Sequence, residues 1–104
     1  MPQFGRIGEL HTASIVTGPK HVWLGVSFST APVAKPQLFQ RPAIGQCSHG
    51  GLNPEQLSAA VVAGIAEANV GLFPVRIEFV ANDTPDYVMF RTCAQRLAEH
   101  VSKA

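Results

Sequence analysis

Charge is scarce in this chain. Of its 104 residues only 14% are Asp, Glu, Lys or Arg, against roughly 25% in an ordinary soluble domain. The formal net charge is +1, with eight Lys and Arg scattered along the length. That distribution excludes a basic stripe for phosphates or a polybasic membrane patch, so nucleic acid and membrane are both poor partners. Cysteine is nearly absent: Cys47 and Cys93 are the only two, too few for a disulfide framework and not arranged as the C-x-x-C of a zinc or redox site. No apolar run approaches the roughly 20 residues that cross a bilayer, and no basic head with a greasy core marks a secretory leader. These absences point to a cytoplasmic protein with free thiols, and nothing in them calls for a cofactor.

What is present in excess is apolar surface. Apolar residues make up 46% of the chain, more than one core of this size absorbs. The expectation is a single domain over residues 1–104 that buries part of the surplus against copies of itself. Residues 6–30 read as a hairpin around the turn Thr17-Gly18-Pro19-Lys20. In its second arm Val22, Leu24, Val26 and Phe28 alternate with His21, Trp23, Gly25, Ser27 and Ser29, the period-two pattern of a sheet with one greasy face. Trp23 lies on the other face, where an indole beside small residues suits an interface better than open water.

Prolines then interrupt. Pro32, Pro36 and Pro42, with Gly45, Gly50 and Gly51, make residues 31–52 a long connection, within which Gln37-Leu38-Phe39-Gln40 has the makings of an edge strand. Asn53, Pro54 and Gln56 form a strong helix start, with Gln56 placed to reach back and complete a capping box. The helix runs from Pro54 to Ala68 and stops at Asn69 and Gly71. Leu57, Ala60, Val61, Gly64, Ile65 and Ala68 share one side of it. Val62 and Ala66 lie away from that side and are candidate interface residues. Gly64 costs helix propensity, which implies close backbone approach. Phe73–Val80 is a strand with Val75, Ile77 and Phe79 on one face and Arg76 and Glu78, an expected solvated or interface ion pair, on the other. Thr84, Pro85 and Asp86 start a second helix with the apolar stripe Tyr87, Phe90, Cys93, Ala94, Leu97 and Val101.

The fold class expected from this order is α+β or α/β: a small mixed sheet, a hairpin plus a third strand, packed by two helices in the order β-β-α-β-α. A crossover through the first helix would make strands 21–29 and 73–80 parallel neighbours. Both helix starts then fall at one carboxyl rim, where open α/β sheets bind ligands. That rim would gather Cys47, Ser48, His49, Gly50 and Gly51 from one loop with Asn82, Asp83 and Asp86 from the other.

Two helix N-termini favour a carboxylate or phosphate. Ser48, Gly50, Gly51, Asn82 and Asp86 are the candidate ligand contacts. A thiol near a helix start, deprotonated by His49 and oriented by Asp83, would be a nucleophile. The bland alternative is a small buried Cys with a solvent-facing His. His11 and His21 are of ligand type and could meet across the hairpin, but two residues do not make a metal site. The favoured function is a small homo-oligomeric binding or accessory protein with an anion-binding notch at the helix starts. The alternative is a small hydrolase, transferase or isomerase that uses Cys47 or His49, with Asp83 or Asp86, on a small acidic substrate.

Overall fold

The alternating run Val22–Phe28 and the capped helix starts at Asn53 and Asp86 organise the architecture seen in the computed structural model, which describes residues 3–17, 20–41, 53–80 and 86–103. Five strands and two helices follow in the order β1 (Gln3–Ile7), β2 (Leu10–Thr17), β3 (Lys20–Ser29), β4 (Gln37–Arg41), α1 (Pro54–Ala68), β5 (Phe73–Val80) and α2 (Tyr87–Ser102). The strands form one mixed sheet in the order β1-β2-β3-β5-β4, an α+β fold with both helices on one face.

The sheet is larger than a hairpin plus one strand. Gly8, at φ 60°, turns the chain between β1 and β2, a conformation that glycine adopts without a Cβ clash. This places Gln3–Ile7 as an antiparallel edge strand, with Phe4 opposite Ala13. The hairpin of β2 and β3 pairs His11 with Val26 and Ile15 with Val22. The edge strand expected at 37–40 forms at Gln37–Arg41, within the long 31–52 connection.

One topological expectation is overturned. Strands β3 and β5 are neighbours but antiparallel, with Leu24 opposite Phe79 and Val26 opposite Ile77. The parallel pair is β4 and β5, because the strand that feeds α1 is β4. A helical crossover returns the chain beside the strand it left, so β5 inserts between β4 and the hairpin.

The core lies between this sheet and the helices. Ala13, Val22, Leu24, Val26, Ile77 and Phe79 from the sheet meet Leu57, Val61 and Ile65 of α1 and Phe90, Cys93, Ala94 and Leu97 of α2 in one buried cluster. Each large member removed from water contributes about 1.5–3 kcal/mol. Helices α1 and α2 also touch directly: a Cβ on Gly64 would collide with the Arg91 carbonyl oxygen and come within 3.2 Å of Ala94 Cβ, the close approach expected of that glycine. Arg91 and Glu67 form an ion pair across the same contact. At the β1 side, Phe4 stacks on His100 of α2 with ring centroids 4.1 Å apart.

Candidate functional site

Among the described residues, two places hold concentrated polar chemistry. The first is the rim at the helix starts. Because β4 and β5 are parallel, and α1 follows one while α2 follows the other, both helices begin beyond the carboxyl ends of that pair. Their first residues touch: the Asn53 amide donates to Tyr87 Oη at 2.8 Å. Asn53 is the N-cap of α1, its Oδ1 accepting from the amides of Glu55 at 2.9 Å and Gln56 at 3.2 Å. Tyr87 Oη is therefore the acceptor for the amide that Gln56 was expected to bind from within the helix. Helix α2 begins at Tyr87, two residues beyond the expected Pro85, and its N-cap is Asp86, whose Oδ1 accepts the Met89 amide at 3.2 Å.

The helix starts thus converge, by a different route from the one the sequence implied. Of the residues expected at this rim, Asp86 is present with one carboxylate oxygen committed to its own helix. Cys47, Ser48, His49, Gly50, Gly51, Asn82 and Asp83 lie outside the described residues. Cys93 is buried in the core.

The second place is the face of the sheet opposite the helices. Strand alternation and the pairings put Ser27, Gly25 and Trp23 of β3, Arg76, Glu78 and Val80 of β5, and Gln37, Phe39 and Arg41 of β4 on that face as a three-by-three grid. Glu78 is at its centre and is buried, at 7% exposure. Its Oε1 accepts Arg41 Nε at 2.8 Å, and its Oε2 lies 2.9 Å from Arg76 Nε. Arg41 also lies over the Trp23 indole, 4.8 Å from its centroid, and Arg76 over the Phe39 ring at 4.6 Å. The result is a layer in the sequence ring, guanidinium, carboxylate, guanidinium, ring. Val80 sits between Arg41 and Trp23 in the grid and is buried.

Gly25, directly opposite Glu78, makes room for this arrangement. A Cβ there would meet Leu10 Cδ2 at 2.7 Å and the Trp23 ring at 3.0 Å, so both side chains lean over the bare backbone. Among the described residues no element covers this face, and Phe39 remains 48% exposed.

Sequence reasoning placed Trp23, Arg76 and Glu78 on this side but missed Arg41 and Phe39. Arg41 comes from 37 positions away, and only the pairing of β4 with β5 brings it to the carboxylate. The expected Arg76–Glu78 ion pair forms, but its carboxylate is buried rather than solvated and Arg41 holds it from the other side.

His11 and His21 do not meet. His11 is on the helix-side face opposite Val26, and His21 is on the other face opposite Val16. Burial, and then the positive neighbours Arg6 and His100, hold the His11 imidazole below its ordinary pKa of 6.5. Among the described residues no three His, Cys, Asp or Glu side chains gather as ligands for one ion, and no helix is long and apolar enough to cross a membrane. Comparison with protein-family models, with curated proteins and with solved structures finds no match.

Proposed function

We propose that this chain is a small homo-oligomeric binding or accessory protein, with the helix-free face of its sheet as the recognition surface. The layer of Trp23, Arg41, Glu78, Arg76 and Phe39 carries this reading. Trp and Arg dominate the few residues that supply most binding energy at protein interfaces. Here both arginines are already pinned by a ring and a carboxylate, so little side-chain freedom is lost when a partner arrives. The exposed Phe39 ring beside the half-buried Trp23 gives a partner apolar surface next to the guanidiniums.

Self-association is assigned to the outer side of α1, where Val62 is 38% exposed and Ala66 is exposed beside it. Trp23, expected at a subunit contact, is assigned on this reading to the recognition face. The two thiols, without a C-x-x-C partner, suit a reducing cytoplasm. Sedimentation equilibrium tests the assembly: the wild type is a dimer or larger, and Val62→Glu combined with Ala66→Glu shifts it to monomer. A wild-type monomer at every concentration would remove the assembly half of the reading.

The contact between Asn53 and Tyr87 supports a second reading. Converging helix N-termini present partial positive charge to a small anion, although the Asn53, Glu55 and Gln56 amides of α1 are already engaged within the fold. On this reading Ser48, Gly50, Gly51, Asn82 and Asp86 bind the ligand, and a small enzyme uses Cys47 or His49, with Asp83 or Asp86, on an acidic substrate. Its mark is a Cys47 thiol that alkylates at neutral pH well above the rate of a free thiol such as N-acetylcysteine. Cys93 is no reference for this comparison, because burial slows it whatever Cys47 does. A Cys47 rate at or below that of the free thiol rejects the enzyme.

A further inference from the structure

Among the described residues, the helix-free face carries more cationic charge than it neutralises. Two guanidiniums flank a single carboxylate, and each contacts it through Nε. A guanidinium has five N–H donors. Among the described residues the terminal nitrogens of Arg41 and Arg76 have no hydrogen-bond acceptor. The two side chains are 35% and 41% exposed, while that of Glu78 is 9% exposed. The carboxylate is therefore the buried anchor, and the donors it leaves unused are on the groups that reach water. Each guanidinium already lies over a ring, Arg41 over Trp23 and Arg76 over Phe39, before any ligand arrives.

Three occupants can be weighed against that geometry. One arginine suffices to neutralise Glu78, so a purely structural ion pair leaves the second guanidinium unexplained. A second copy of the same face would set four guanidiniums against two carboxylates, and like charge across an interface selects against that pairing. Nucleic acid asks for several neutralised phosphates, whereas this face has one surplus charge and the whole chain only +1. One external carboxylate, by contrast, brings the cluster to neutrality and matches the planar two-donor edge of a guanidinium.

We propose that Arg41 and Arg76 are a carboxylate-binding pair for an acidic peptide segment of a partner protein. Glu78 is the positioning residue between them, and the exposed Phe39 ring receives an apolar side chain next to the bound carboxylate. The assignment rests on the reading of this face as a recognition surface, and it names the partner's chemistry.

Trp23 is the only tryptophan in the chain and lies under Arg41, so its emission reports on the site. The probes are a short synthetic peptide alternating glutamate and leucine, its counterpart with glutamine for glutamate, and inorganic phosphate. The glutamate peptide is expected to give a saturable change in Trp23 emission that the glutamine peptide does not give. Arg76→Gln, which is remote from the indole, weakens it by roughly tenfold, the size of a lost charge-assisted contact. Arg76→Lys, which keeps the charge without the fork, falls between the two.

A flat wild-type titration, or an Arg76→Gln protein of unchanged far-UV circular dichroism that binds equally well, overturns the proposal. So does inorganic phosphate that displaces the peptide and binds as tightly as it does, which would make the site one for free anions. If the oligomer forms normally and the titration is flat, this inference alone fails. A monomer that still binds the peptide leaves it standing and removes only the assembly.

Discussion

At the scale of single residues, Glu78 and His11 are each defined by what surrounds them. Glu78 holds two guanidiniums apart. Glu78→Gln leaves them facing each other across a neutral amide, at a cost of about 2 kcal/mol once screening at the half-exposed arginines is allowed for. Adding Arg76→Gln relieves that repulsion, so the double variant is expected to be more stable than the sum of the two single losses. Urea unfolding midpoints of the four proteins in the cycle measure this coupling, and strict additivity would contradict it.

His11 responds to pH. Its folded-state pKa lies below 6.5 through burial and the cations Arg6 and His100, so the unfolded chain takes up the proton first as pH falls. Its contribution to stability is complete above about pH 6.5 and is lost as pH falls through the folded value. The urea midpoint should drop between about pH 7.5 and pH 5.5, and His11→Gln should flatten that slope. Alternation along a strand made the shared side of Arg76 and Glu78 readable in the sequence. The partnership with Arg41 was not, because no local signal tells one strand which distant strand it will pair with.

At the scale of elements, local rules served the helices well. Asn53, Pro54, Asn69 and Gly71 bound α1 where their preferences put it, with Asn69 left-handed at φ 54°. The capping box at its start formed only in part, because a tertiary partner, Tyr87 Oη, competes for the Asn53 amide. Asn53→Ala should cost about 1 kcal/mol through the lost cap, and Tyr87→Phe should cost a similar amount through the lost acceptor. The two changes meet at one residue, so thermal denaturation of the double variant should show a combined loss smaller than the sum. Strand pairing lay beyond such rules. The hairpin was legible because its arms are adjacent, whereas the antiparallel match of β3 with β5 depends on β4 having taken the outer edge. The short strand at β4 was legible despite the prolines around it, since a strand on the rim can tolerate such neighbours, but its partner was not.

At the scale of the whole molecule, stability is graded across the sheet. Strands β3 and β5 are central and include buried Leu24, Val26, Ile77 and Phe79, while every residue of the edge strand β1 is exposed. Amide hydrogen exchange should be slowest in β3 and β5 and fastest in β1, which opens without disturbing the core. Equal protection across all five strands would show that β1 is held by more than its pairing and the Phe4–His100 stack. The central place of β5 also bears on how the chain is made. A ribosome delivers the meander and then β4, with its apolar Leu38 and Phe39, long before Phe73–Val80 exists to join them. During that interval the nascent polypeptide has two halves and no keystone, and its greasy segments are open to chaperones or to misassembly with neighbouring chains.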